Sequence, residues 1–118
     1  MAGKVSIIMP AYNCKKFIKE AIESVQKQSY TDWELLIVND CSNDGIVDII
    51  KTMMKKDDRI KLFHNPKHSG AAASRNRAIK NAAGKYLAFL DSDDVWVPDK
   101  LDKQIKFMEK NNYYFTCT

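Results

Sequence analysis

The sequence predicts an α/β protein: a mostly parallel β-sheet with helices on both faces. Three observations carry this. Short apolar runs alternate with stretches of helical periodicity in the order β-α-β-α-β-α-β-α-β, the pattern of parallel strands joined by crossovers. Two of the runs, Val5 to Met9 and Tyr86 to Leu90, are unbroken, as in strands buried on both faces. Two strand ends pass directly into acids, Asn39–Asp40 and Asp91–Ser92–Asp93–Asp94, and open α/β sheets bind ligands at that carboxyl edge.

Each element has its own warrant. Val5 to Met9 is the first strand, closed by Pro10, and Asn13 is placed to cap the helix that follows. In that helix Phe17, Ile18, Ala21, Ile22 and Val25 recur at helical spacing opposite Lys16, Lys19, Glu20 and Glu23. Trp33 to Val38 is the second strand. The turn Cys41–Ser42–Asn43–Asp44–Gly45 feeds a second helix with Ile46, Ile49, Ile50 and Met53 on its apolar face, and Asp44 reads as a cap or turn residue. Arg59 to His64 alternates, as in a more exposed strand at a sheet edge. A third helix runs from about Ala71 to Ala83 and stops at Gly84 as its C-terminal glycine. Tyr86 to Leu90 is the expected central strand. A fourth helix opens at Pro98 and buries Leu101, Ile105 and Met108. Tyr113 to Cys117 begins a further strand.

The 118 residues suffice for one domain with a real core. The composition, 45% hydrophobic and 29% charged, is that of a soluble globular chain. The net charge of +4 suits an anionic small molecule or an acidic membrane surface, and no basic run interleaved with aromatics argues for nucleic acid. Cys14, Cys41 and Cys117 are odd in number and lack metal-ligand spacing, as for free thiols in a reducing cytoplasm. The chain enters a strand at once, so no signal peptide is expected. It ends within an expected strand, which marks it as the N-terminal part of something longer.

The acids after the fourth strand, Asp91, Asp93 and Asp94, repel one another unless a cation or a positive side chain holds them, and a divalent cation shared with a phosphate is the usual partner. The plain alternative is a set of surface acids near a helix start. On the third helix Ala71, Ala72, Ala78, Ile79, Ala82 and Ala83 form an apolar arc with Arg75 near its centre, while Ser74, Arg77, Lys80 and Asn81 lie opposite. A guanidinium so placed needs an anion, either an internal carboxylate (Asp40 or Asp91) or a ligand phosphate. Asp40 is a turn-forming residue or an acceptor for a base N–H or a ribose hydroxyl. His64 and His68 read as surface or loop residues, and Trp33 and Trp96 as packing. No G-x-G-x-x-G or G-x-x-x-x-G-K-[S/T] occurs, which disfavours a dinucleotide fold and excludes a P-loop.

Four stretches in order complete a familiar pattern: Val5 to Asn13, Trp33 to Asp40 followed by Ser42 and Asp44, Gly70–Ala71–Ala72–Ala73–Ser74–Arg75–Asn76, and Asp91–Ser92–Asp93. Together they resemble the inverting GT-A glycosyltransferases of family 2, over nearly the whole chain. The resemblance implies a Rossmann-like GT-A fold, here truncated, with residues 1–118 as a single nucleotide-sugar-binding domain, and a nucleotide-sugar donor, most often a UDP-sugar. It places Pro10, Ala11, Tyr12 and Asp40 around the base and Arg75 beside base and phosphates. It places Asp91 and Ser92 on the ribose or sugar side, and Asp93 with Asp91 on Mn²⁺ or Mg²⁺. It implies a saccharide or lipid-linked saccharide acceptor, a role in surface polysaccharide synthesis, and a cytoplasmic location with room for peripheral association at the inner membrane face. Three departures stand out. Asn39 replaces a common aspartate, Cys41 replaces a common glycine, and the family's catalytic base would lie beyond Thr118. A catalytically silent nucleotide-binding module is the alternative. A receiver-type signalling domain fits less well, because the first strand ends in Pro10–Ala11–Tyr12–Asn13 instead of an acidic pair.

Overall fold

A computed structural model describes residues 3–111 and 115–116. The elements are β1 (Val5–Ala11), α1 (Lys15–Gln26), β2 (Trp33–Asn39), α2 (Ile46–Met54), β3 (Ile60–His64), α3 (Ala71–Lys80), β4 (Tyr86–Phe89), α4 (Lys100–Asn111) and β5 (Phe115–Thr116). The sheet is parallel throughout, in the order β3-β2-β1-β4-β5. The alternating pattern thus gives the α/β architecture it predicts, with β3 at an edge. Of the expected last strand, Tyr113, Tyr114 and Cys117 lie outside the described residues.

The two faces of the sheet are unequal. Val5, Ile7 and Met9 of β1, Trp33, Leu35 and Ile37 of β2, and Tyr86 and Ala88 of β4 share one face. Against it pack Ile18, Ile22 and Val25 of α1, Ile46 and Ile50 of α2, and Leu101, Ile105 and Met108 of α4. The opposite face has a small apolar patch, Ile8, Leu36 and Val38, covered by Ala78 of α3. This asymmetry corrects the reading of Tyr86 to Leu90. The central strand is β1, and β4 hides Tyr86 and Ala88 while Leu87 and Phe89 are only partly covered. One helix of small residues covers less of its face than three helices with large apolar side chains cover on the other. No helix among the described residues is long and apolar enough to cross a membrane.

Pro10 does not close β1, which runs on to Ala11 in register with Asn39. Ile8 O accepts from Leu90 N, so even-numbered positions of β1 bond toward β4. Pro10 points the same way and has no N–H to donate, and the β1–β4 pairing stops just before it, at Ile8 and Phe89. Pro98 likewise precedes α4, which begins at Lys100.

A carboxylate that reads as part of an apolar run stitches the amino end of the sheet. Glu34 is 2% exposed and lies opposite Ser6 in the register. Its Oε2 accepts from Ser6 Oγ (2.6 Å) and Ala83 N (2.7 Å), and its Oε1 from Lys61 Nζ (3.0 Å). Ser6 Oγ in turn accepts from Gly84 N at 2.8 Å. Helix α3 therefore ends at Lys80, and Gly84 is needed for close approach, not as a C-terminal glycine. A Cβ there would lie 2.6 Å from Ser6 Oγ and 2.7 Å from Lys4 O.

Gly84→Ala is expected to destabilise the fold by about 2 kcal/mol, as overpacking against rigid backbone does, read from the urea midpoint. Burial pushes the Glu34 pKa upward, but the bonds from Ser6, Ala83 and Lys61 outweigh it and hold the carboxyl below its ordinary value of 4.5. Its stabilisation is thus present above pH 4.5 and lost as pH falls through the lower folded value. Glu34→Gln should lower stability at neutral pH and flatten the acid limb of a pH–stability curve.

Candidate functional site

A cleft of about 610 Å³ opens over the carboxyl ends of β1, β2 and β4. The chain leaves β1 for β2 on one side and reaches β4 only later on the other, so the cleft lies at a topological switch point. Pro10, Ala11, Tyr12, Asp40, Arg75, Asp91, Ser92 and Asp93 all line it. Every residue assigned to a donor or metal site from sequence is therefore gathered in one place. His68, Phe17 and Cys14 line it too, and sequence reasoning assigned none of them there.

Two loops form the floor and tie each other down. Asn13 has a φ of +46° and does not cap α1. Its side chain instead accepts from Asn43 N at 3.0 Å, while Ser42 Oγ accepts from Asn13 N at 2.9 Å. The capping role falls to Asp44, which accepts from Lys15 N at 2.9 Å and, more weakly, from Ile46 N at 3.4 Å. One carboxylate so serves the starts of α1 and α2. Asn39 closes the turn after β2 by accepting from Ser42 N. Cys41, where the family commonly has glycine, sits at φ +62° in the left-handed region. Phe17, expected in the core by periodicity, is 44% exposed on the cleft wall.

Asp40 is 2% exposed. Its Oδ1 accepts from Asn65 Nδ2 (2.9 Å) and Ser69 N (2.7 Å). Its Oδ2 accepts from Gly70 N (2.8 Å) and lies 2.9 Å from His68 Nδ1. Burial raises the Asp40 pKa, yet the bonds from Asn65, Ser69 and Gly70 and the neighbouring His68 win, and the carboxyl lies below its ordinary value. Asn65 also donates to Ser74 Oγ and accepts from Arg77 Nε. This network rotates α3 relative to the expected arc. Ser74 is fully buried and Arg75 faces the cleft, 39% exposed by its side chain, instead of the core.

Arg75 Nη2 donates to Asp91 Oδ1 at 3.3 Å, which realises the internal ion pair weighed from sequence. Asp91 itself is about half exposed. Asp91, Asp93 and Asp94 can bring one carboxylate oxygen each to within 4.8 Å of one another. That is an all-oxygen donor set of the kind hard divalent cations take. Burial pushes the Cys14 thiol up, against a hydrogen bond from Ser92, so it is a protonated wall residue at neutral pH. His64, bonded to Asn39, is the loop-side residue expected. His68 is the exposed loop residue expected, and its ring also lies against Tyr12, tilted by 41° with centroids 4.4 Å apart. Trp96 packs in the core.

A parallel sheet with a carboxylate-bearing cleft at its switch point defines an α/β ligand-binding domain. Its family is Glycosyl transferase family 2, to which the chain belongs: the family model matches residues 6–118. Among its relatives is the Escherichia coli UDP-Glc:alpha-D-GlcNAc-diphosphoundecaprenol beta-1,3-glucosyltransferase WfgD, 50% identical over 111 residues, 94% of this chain and 43% of that protein. WfaP of Escherichia coli, a glucosyltransferase of the same description, is 47% identical over 95% of this chain and 44% of its own length. The chain thus spans less than half the length of these relatives. The crystal structure of S. aureus TarS 1-349 in complex with UDP-GlcNAc superposes with a TM-score of 0.86 and 32% identity, over 92% of this chain and 32% of that one.

A non-glycine residue in the left-handed region costs about 1 kcal/mol. Cys41→Gly relieves that and is expected to raise stability by about 0.5 kcal/mol after the added chain entropy of glycine, a gain readable in the thermal midpoint.

Proposed function

We propose that this chain is the nucleotide-sugar-binding half of an inverting glycosyltransferase, with a UDP-sugar as donor and a saccharide or lipid-linked saccharide as acceptor. The observation that carries the reading is the cleft itself. It sets an aromatic face, a helix N-terminus, an arginine and a cluster of carboxylates side by side at the switch point. The names of the relatives and the UDP-GlcNAc complex of the TarS structure support it.

The residues divide the donor among them. Tyr12, half exposed beside Pro10 and Ala11, offers a face on which a base stacks. Asp40 holds residues 68–70 in place and presents a carboxylate edge to a base N–H. The start of α3 carries no acid in its first turn, so its amide end favours the negative charge of a pyrophosphate. Arg75 adds a full positive charge within reach of the same groups. Asp91 and Ser92 face the ribose and sugar, and Asp93 with Asp91 would hold the cation, with Asp94 alongside. When bound, Mn²⁺ or Mg²⁺ neutralises the charge that grows on a departing nucleoside diphosphate. The side chains keep this charge oriented. Inverting transfer also needs a base that deprotonates the acceptor hydroxyl, a role that falls to none of these donor-side residues, and without it transfer is slow. Work at the inner membrane face, in surface polysaccharide synthesis, completes the proposal.

Isothermal titration of UDP tests it. Binding in Mn²⁺ that disappears in EDTA is the expected result. Asp93→Ala should abolish the metal-dependent part with the circular dichroism spectrum unchanged, and full-strength binding by that variant would remove Asp93 from the site. Arg75→Leu should weaken UDP about tenfold or more, the scale of one charge-assisted contact, while its melting temperature moves little because the Arg75–Asp91 pair is exposed.

A further inference from the structure

His68 has no role in the donor assignments above, yet it makes two contacts that are chemically specific. Its imidazole lies against the Tyr12 ring with centroids 4.4 Å apart and planes tilted by 41°. Its Nδ1 lies 2.9 Å from Asp40 Oδ2. A flat nitrogen heterocycle thus rests on an aromatic face and directs a ring nitrogen at a buried carboxylate. Those are the two contacts a pyrimidine base with a ring N–H would make at the same place. Both Tyr12 and Asp40 line the cleft, and so does His68 itself.

We propose that His68 is a stand-in for the nucleobase: it fills the base subsite of the ligand-free chain and must swing out before a pyrimidine nucleotide can seat. The proposal rests on the nucleotide reading of the cleft. The fold makes the swing cheap. The His68 side chain is 57% exposed, and it stands on the loop between β3 and α3. Asp40 does not lose its support when His68 leaves, because Asn65 Nδ2, Ser69 N and Gly70 N continue to donate to it. The half-exposed Tyr12 ring keeps its place, since the next residue, Asn13, is bonded to Ser42 and Asn43. The base therefore inherits a preformed shelf and acceptor, and His68 returns to cover them when the nucleotide departs. Apparent affinity is the intrinsic affinity multiplied by the fraction of molecules with His68 out.

The test compares UDP binding by the wild-type chain and by His68→Ala, titrated calorimetrically in Mn²⁺, with the Tyr12–His68 ring contact followed by nuclear Overhauser effects. The variant is expected to bind UDP about threefold to tenfold more tightly, the range for removing a competitor held by one hydrogen bond to a carboxylate and one ring pair. In the wild type the ring contact should vanish on saturation with UDP. Equal or weaker binding by the variant would overturn the proposal and make His68 neutral or a direct base contact. A ring contact that persists in the saturated complex would overturn it as well. If neither protein binds UDP, the nucleotide reading fails, and that outcome is separable from the others because the wild type alone reveals it.

Discussion

The buried carboxylate of Asp40 is the interaction on which the site depends. An ionised group with 2% exposure is tolerated only where donors surround it, and here the donors all come from one loop, residues 65–70, between β3 and α3. Asn65 brings the end of β3, Ser69 and Gly70 bring the start of α3, and His68 brings the loop between them. Remove the charge and these polar groups are left unpaired under the cleft floor, a larger loss than the single bonds suggest. The position of Arg75 follows from this, because Asn65 also holds Ser74 inward and so turns the next residue out.

Strand β2 repeats the device at its other end. Glu34 clamps the segment that leaves α3, as Asp40 clamps the segment that enters it. The reason lies in the packing. Helix α3 covers its face of the sheet alone and buries little apolar surface, chiefly at Ala78. Small side chains let the helix sit close but supply little hydrophobic free energy. Two carboxylates on one strand supply the positional constraint that the core does not, and they fix both ends of the helix whose N-terminus faces the cleft.

This division explains what the sequence made legible. The period of the apolar residues reports faces that are buried by apolar packing, so α1, α2, α4 and the strand–helix alternation of an α/β fold could be read directly, whereas the place of each strand in the sheet could not. The strand-end acids were legible for the same reason, since they stand out against apolar runs. Helix α3 was misread because its buried face is held by hydrogen bonds. Ser74 looked like a surface residue and Arg75 like a core one, and only partners distant in sequence, Asn65 and Asp40, settle the matter. Glu34 was invisible inside its strand, and Gly84 resembled a helix terminator although its job is to let Ser6 approach. His68 could not have been found by any local pattern, as its two contacts reach back 28 and 56 positions in different directions of the fold.

The cleft shows one further regularity. Three of the groups that would recognise a ligand are already engaged by a neighbour of the chain: Tyr12 with His68, Asp40 with His68, Arg75 with Asp91. The engagements differ in depth. Asp40 is buried and retains three donors whatever happens to His68, so its orientation is permanent. Tyr12, His68, Arg75 and Asp91 are all more than a third exposed, where ion pairs and ring contacts are worth little and exchange readily with water or ligand. A site built this way is rigid in the carboxylate that sets its geometry and yielding in the side chains that must be displaced. The charges of Asp40 and Arg75 are compensated before any ligand arrives, and the free energy needed to uncover Arg75 stays small.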